Sequence, residues 1–460
     1  MYNQALLQLK KAINVTEKLK TVHFTGTRMY DLNKSGSAEL PYTADPNFKK
    51  HVLKRFEKGE IVNQLLTKGN GENFILFKER GKLHQIKDQI LPHEKLLHDI
   101  RMHARSHLTK VEKEDKVRAV YGVPCTVIYA EIMIFWPLLA HLKEQENSFI
   151  AWGYETFRGG LEKLRIEVHD YDLHLSLDFS TFDKLIPFWL IDDIYQIFIS
   201  LYELGPYYED DPDYPNPKTN PQRIKNIWEF VLYSVKHSTY RAPDGSRYQR
   251  KHSGFPSGLL QTQLLGSCCN YVMIVTALNI LGFSENQFSI KVLGDDSCVS
   301  LRTQKPPQDI IRDISLICKQ FFNAIINTDK STFSVGTSNL QFLSYKLDKG
   351  AVIRVNDDLL GKLVYPEKAH FTRETTRSRA LGILISNLGY DEHIHIVCCN
   401  IIEKLSEYAY TTKGLNWYDQ QRLEILKKFT NQIPSRHDLF IMALTPLPKL
   451  TDTNFNKYLR

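Results

Sequence analysis

The chain has 460 residues, 42% of them hydrophobic and 11% aromatic, with a net charge of +7 and a pI near 8.8. Those proportions exclude a disordered, collagenous or fibrous protein, and the length exceeds one ordinary core, so two or three substructures are expected. The modest positive excess fits nucleic acid held in an internal basic channel better than a wholly basic surface coat.

Residues 1–20 read as a short amphipathic helix with lysines spread through it, which is not the pattern of a signal peptide. Short helical patterns and basic loops continue to about residue 165. His103 and His107 stand four apart in a Lys/Arg-rich stretch without nearby acids, and are not read as a metal site. In the basic stretch 110–124, Lys116 and Arg118 alternate with apolar Val117, Ala119 and Val120, giving a strand with one cationic face suited to phosphate oxygens. Lys110 and Lys113 could line the same channel. Val120 to Leu142 is apolar enough to suggest a membrane span, but Pro124, Glu131, Pro137 and His141 interrupt it, so a buried core helix is the better reading.

The stretch ending in Asp178 alternates like a strand, and residues 182–202 then carry helix-like apolar spacing. Asp178 therefore closes a strand. Asp183 falls on the first helical turn, where the dipole favours an acid and where a plain N-cap would also place one. The proline-rich, acidic segment 204–221, with Glu209, Asp210, Asp211 and Asp213, reads as a solvated surface loop. A glycine-rich loop, Ser253-Gly254-Phe255-Pro256-Ser257-Gly258, opens into a helix on which Thr262, Gly266 and Asn270 recur at i, i+4 and i+8. Such a loop can approach a sugar-phosphate closely, and hydroxyls and an amide on one face can read a ribose.

Lys291 to Val299 places Asp295 and Asp296 after Gly294, between two apolar runs that read as the arms of a hairpin. Adjacent acids there repel one another, which makes sense mainly with a divalent cation between them. Two metals also need a carboxylate from a second segment, and Asp178 supplies it. Hard oxygen donors with no competing thiolate or imidazole cluster select two Mg²⁺ or Mn²⁺ ions. From about residue 348 the pattern turns to helices, including 392–410 and 418–430. Seven cysteines without a CxxC spacing read as free thiols.

Taken in order, "LDFSTFDKLIPFWL", "SGFPSGLLQTQLLGSCCN" and "VLGDDS" resemble motifs A, B and C of viral RNA-dependent RNA polymerases, most of all those of partitiviruses and then picobirnaviruses. Residues 110–124 are similar to motif F, 326–333 to motif D and 340–347 to motif E. The resemblance implies an α+β right-hand polymerase fold, in which the palm is an antiparallel sheet flanked by helices. It implies an N-terminal region with fingers over 1–165, a palm over 166–350 with a fingers insertion at about 204–245, and a helical thumb over 351–460. It also implies template-directed RNA synthesis from NTPs for transcription and replication of a double-stranded RNA genome. The partners would be template and product RNA, NTPs and a viral capsid protein, with no membrane, and the location the virion within host cytoplasm.

On that resemblance Asp178, Phe179, Asp295 and Asp296 form the metal set. Asp178, Asp295, Asp296 and Lys330 are catalytic, with Lys330 protonating the departing pyrophosphate. Lys116, Arg118, Asp183, Ser257, Thr262 and Asn270 contact the nucleotide. One position departs from the family pattern: Gly266 stands where many relatives carry an asparagine. Asp183 is then expected to be oriented by Ser257 or Thr262, with Asn270 bracing the palm. A reverse transcriptase could use the same carboxylates, but Asp183 favours a ribose reader. An RNA-binding or capsid-like protein would leave the acids unexplained.

Overall fold

The computed structural model describes residues 1–109, 116–208, 219–366, 372–411, 432–447 and 451–459. Basic strands β1 (Ile100–His107) and β2 (Lys116–Gly122) lead into helix α1 (Cys125–Glu144). The next strand, β3 (Leu173–Leu177), is followed by helices α2 (Phe182–Leu185) and α3 (Phe188–Ser200). Short strands β4 (Thr239–Arg241) and β5 (Arg247–Gln249) precede helix α4 (Thr262–Ile280). Hairpin arms β6 (Phe288–Leu293) and β7 (Asp296–Leu301), helix α5 (Pro307–Phe322) and strand β8 (Thr332–Val335) complete the centre.

The central sheet is fully antiparallel in the order β8-β3-β7-β6. Apolar side chains fill both of its faces. Leu173, Leu175, Val299 and Leu301 belong to the main core with α4 and α5, whereas Cys298 packs into a second cluster with Tyr154, Leu161 and Phe342. That double coverage explains why β3 and β7 are almost continuously buried instead of alternating with solvent. Helices α1 and α4 are long and apolar enough to cross a membrane, yet both lie mostly buried in this core, as the core-helix reading of the first expects. All seven cysteines are free, six of them buried.

A second four-stranded sheet, in the order β2-β1-β4-β5, ties the basic strands to residues after position 238. Helix Pro221–His237 packs on Glu72–Lys87 and on α1. The N-terminal helix ends at Ala12, earlier than its pattern suggests, and packs along α4. Beyond the centre, Arg373–Ser386 and Glu392–Lys404 form a helix pair. The helical pattern at 418–430 lies outside the described residues, as do Lys110 and Lys113.

Two expectations need correction. The helical spacing over 182–202 is not one helix, because it breaks at Ile186-Pro187. Proline forces the residue before it out of the helical region, so Ile186 is extended (φ −57°, ψ 118°) and α3 restarts behind Pro187. The supposed surface loop at 204–221 begins inside a strand. Tyr202–Tyr207 pairs in parallel with Leu19–Thr21, and its tyrosines are buried. Burial of two aromatic side chains outweighs the loop-forming composition. The four acids of that segment lie outside the described residues.

Candidate active site

The site forms where β3 ends beside the β6–β7 turn. The two-residue turn is Gly294-Asp295, and Gly294 takes φ 66°, which a side chain would resist. In the β3–β7 register Ser297 faces Leu177, so one step further Asp296 faces Asp178. Solvent reaches Asp295 and Asp296, while Asp178 and Asp183 are half-buried.

These carboxylates feel one another. Partial burial raises Asp295 above the ordinary carboxylate range; Asp183 and Asp178 add to the rise, and the Arg118 guanidinium opposes it. Burial, with Asp295 and Asp178 behind it, pushes Asp296 up to about 6. Asp178, Asp183, Asp295, Asp296 and Arg118 thus share one electrostatic neighbourhood. Among the described residues, no three His, Cys, Asp or Glu side chains already form a metal cage. The donor set nevertheless fits hard divalent cations, because closely placed carboxylates that destabilise each other are what such an ion would relieve. Phe179 offers no side-chain donor: its ring is buried against Phe182, 5.3 Å between centroids, so only its main-chain carbonyl could reach an ion.

Helix α4 supports the turn from behind. The Asn270 amide donates to the carbonyls of Gly294 (2.9 Å) and Asp295 (3.2 Å), and Ser267 Oγ accepts from Gly294 N–H (2.9 Å). Asn270 has no exposed surface. In this arrangement its amide braces the carboxylate turn. Ser267 was not singled out from the sequence; the available signal was a second polar residue in the apolar stretch 264–275. A Cβ at Gly266 would meet Phe182, Gly294 and Phe255 at 3.5–3.6 Å, ordinary contact, so this position also looks toward the turn.

The break at Pro187 is where the glycine-rich loop docks. Phe255 N–H donates to Asp183 O (3.0 Å), Gly254 N–H to Ile186 O (2.7 Å) and Phe188 N–H to His252 O (3.0 Å). Ser253 Oγ donates to Lys184 O (3.0 Å) and Arg250 to Asp183 O (3.2 Å). Arg250 also lies over the Tyr240 ring at 4.9 Å and near Tyr121 of β2. Arg250 was missed in the sequence because its partners are far away along the chain. Gly254 has φ 91°, and a Cβ there would stand 2.9 Å from both the Asp183 and Lys184 carbonyls. Ser257 is exposed on this loop, and Thr262 starts α4 with its hydroxyl donated to Leu259 O (2.9 Å).

Lys330 is exposed on a turn fastened to Asp178: Asn327 N–H donates to Asp178 O (2.8 Å), and Asp178 N–H to Ser331 Oγ (3.1 Å). Lys116 opens β2 opposite His107, and Arg118 is exposed two residues on. The apolar residues between and beyond them do not form a buried face, since Val117 and Val120 are themselves exposed.

This architecture is that of the right-hand polymerases. The RNA-dependent RNA polymerase of a human picobirnavirus superposes with a TM-score of 0.59 at 14% identity, covering 96% of this chain and 75% of that one. Residues 1–398 match the family described as viral RNA-dependent RNA polymerase, and the chain belongs to that family. It is 31% identical over 292 residues to the RNA-directed RNA polymerase of White clover cryptic virus 1, covering 61% of this chain and 47% of that protein. It is 25% identical over 443 residues to the RNA-directed RNA polymerase of Atkinsonella hypoxylon virus, covering 86% and 65%. The chain therefore matches about half to two thirds of the length of these two relatives.

Proposed function

We propose that the protein is an RNA-directed RNA polymerase of a double-stranded RNA virus, adding NTPs to an RNA 3′-hydroxyl during transcription and replication of the genome. The observation that carries this reading is the placement of Asp178 beside Asp296, with Asp295 on the adjoining turn, where burial and the neighbouring carboxylates raise Asp295 and Asp296. Asp178, Asp295 and Asp296, with the Phe179 carbonyl, would hold two Mg²⁺ or Mn²⁺ ions. Such ions, when bound, acidify a hydroxyl and neutralise charge on a leaving pyrophosphate.

The chain's own groups do the rest. Arg118, together with Lys116 on the same strand, draws the triphosphate toward the carboxylates. Asp183, held by the loop that carries Ser257 and leads to Thr262, accepts a hydrogen bond from the ribose 2′-hydroxyl. Lys330, on the turn fastened to Asp178, donates a proton to departing pyrophosphate. In domain terms, fingers occupy 1–165, the palm 166–350 and the helical thumb 351–460. Assigning about 204–245 to the fingers is supported by the pairing of Tyr202–Tyr207 with Leu19–Thr21 and of β4 with β1. Template and product RNA are the macromolecular ligands. A capsid protein is the further partner, in virions within host cytoplasm.

The test is incubation of the purified protein with single-stranded RNA, four NTPs and Mg²⁺ or Mn²⁺, followed by sizing of the product. Template-length RNA is expected, with dNTPs used poorly on the same template. Equal use of dNTPs would point to DNA synthesis, and no product with RNA still bound would leave only an RNA-binding protein.

A further inference from the structure

Glu131 is fully buried in the middle of α1, in one of the most apolar stretches of the chain. Burying a carboxylate is costly unless its oxygens are hydrogen-bonded. Here one oxygen accepts from Leu260 N–H (2.9 Å) and the other from Gln261 Nε2 (3.0 Å), while Gln261 also meets the buried Tyr195 hydroxyl. Among the described residues no cation pairs with Glu131. Burial raises its pKa to about 7, and the hydrogen bonds from Leu260 and Gln261 pull against that rise.

The contact sits at a structurally weak point. The residue that caps α4 is Gln261, and its side chain makes no capping bond to the helix. A serine, threonine or aspartate there would satisfy the helix start locally. Glu131 instead reaches over from another helix to the junction between the glycine-rich loop and α4. The junction is internally stiff, because the Thr262 hydroxyl donates to Leu259 O and approaches Pro256 O. Fixing Leu260 and Gln261 therefore fixes Ser257 and Thr262 as well. Further along the loop, a Cβ at Gly258 would lie 2.2 Å from Tyr121 O, so the same loop is also pressed against the basic strand β2. Helix α1, buried along nearly its whole length, supplies a rigid reference for the Glu131 contact.

We propose that Glu131 is a positioning residue for ribose recognition: from α1 it grips Leu260 and Gln261 and so sets where Ser257 and Thr262 stand relative to Asp183. This rests on the reading of Asp183 as the ribose acceptor, so the experiment tests the two separately. Single-nucleotide incorporation of an NTP and its dNTP is measured on one RNA template for wild type, Asp183→Ala, Glu131→Ala and Glu131→Gln, with thermal unfolding alongside.

Asp183→Ala should lower the NTP/dNTP preference, which tests the underlying reading alone. Glu131→Ala should raise KM for NTP on the order of tenfold or more, the loss of charge-assisted hydrogen bonds, with kcat changed less and the NTP/dNTP preference lowered. Glu131→Gln should recover both to within a few-fold without losing thermal stability, because the Gln261 side-chain oxygen has no partner and can turn to accept from the new amide. If Glu131→Ala keeps wild-type KM and preference while Asp183→Ala loses preference, the inference about Glu131 fails and the ribose reading stands. If Asp183→Ala keeps full preference, the ribose reading itself fails. Should Glu131→Ala not fold, Gln261→Ala removes only the side-chain half of the contact and is expected to raise KM in the same way; an unchanged KM there overturns the inference.

Discussion

Lys330 and Asn270 are placed differently around the carboxylates, and single substitutions separate their proposed roles. Lys330 is exposed on the turn bonded to Asp178, so its replacement should leave the fold intact and test its proposed role as proton donor alone. Lys330→Leu should slow single-turnover incorporation by roughly 10²–10⁴-fold with NTP affinity little changed and unfolding temperature unchanged. An unaltered single-turnover rate would make it a surface lysine. Asn270 is buried and holds two carbonyls of the turn, so Asn270→Ala leaves both without their donor. It should cost about 1–3 kcal/mol of stability in chemical denaturation and slow incorporation without relaxing the NTP/dNTP preference. A relaxed preference at wild-type stability would put Asn270 at the sugar after all. The aspartates were legible in the sequence because acids are rare inside apolar runs. Arg250 and Ser267 were not, since their roles exist only through partners brought from other segments.

At the scale of elements, two glycines of the same segment behave in opposite ways. Gly258 presses on β2, with the Tyr121 carbonyl 2.2 Å from where a Cβ would stand. A backbone carbonyl cannot swing aside as a side chain does, so Gly258→Ala should destabilise by about 1–3 kcal/mol or shift the loop, and raise KM for NTP. Gly266 lies in a helix interior with only ordinary contacts around an added Cβ. Gly266→Ala should be stability-neutral or gain up to about 1 kcal/mol from helix propensity. Unfolding curves of the two variants check both; equal losses would mean that the loop and helix are packed differently. The hairpin and β3 could be read from the sequence because local pattern and turn chemistry agree there. The break at Pro187 was obscured because helical spacing continues on both sides of it, and the strand at Tyr202–Tyr207 because its partner lies about 180 residues earlier, at Leu19–Thr21.

For the whole molecule, the fold gathers groups separated by more than 170 residues, from Arg118 to Asp295, around one patch of negative charge. The antiparallel sheet, buried on both faces, is the rigid floor on which that patch stands. Local pattern in the sequence marks the Asp178 strand and the Asp295-Asp296 turn that pair on this floor, while the bonds that lace the glycine-rich loop to the Asp183 turn emerge only when the chain is folded. The central claim, that the clustered aspartates catalyse RNA synthesis while RNA is held by cations elsewhere, is tested most directly by Asp295→Asn. The amide keeps the shape but removes a charge that divalent ions need. Template-dependent incorporation of NTPs should disappear, with RNA affinity at fixed salt within a few-fold of wild type. Substantial residual synthesis by a folded Asp295→Asn protein would contradict the account.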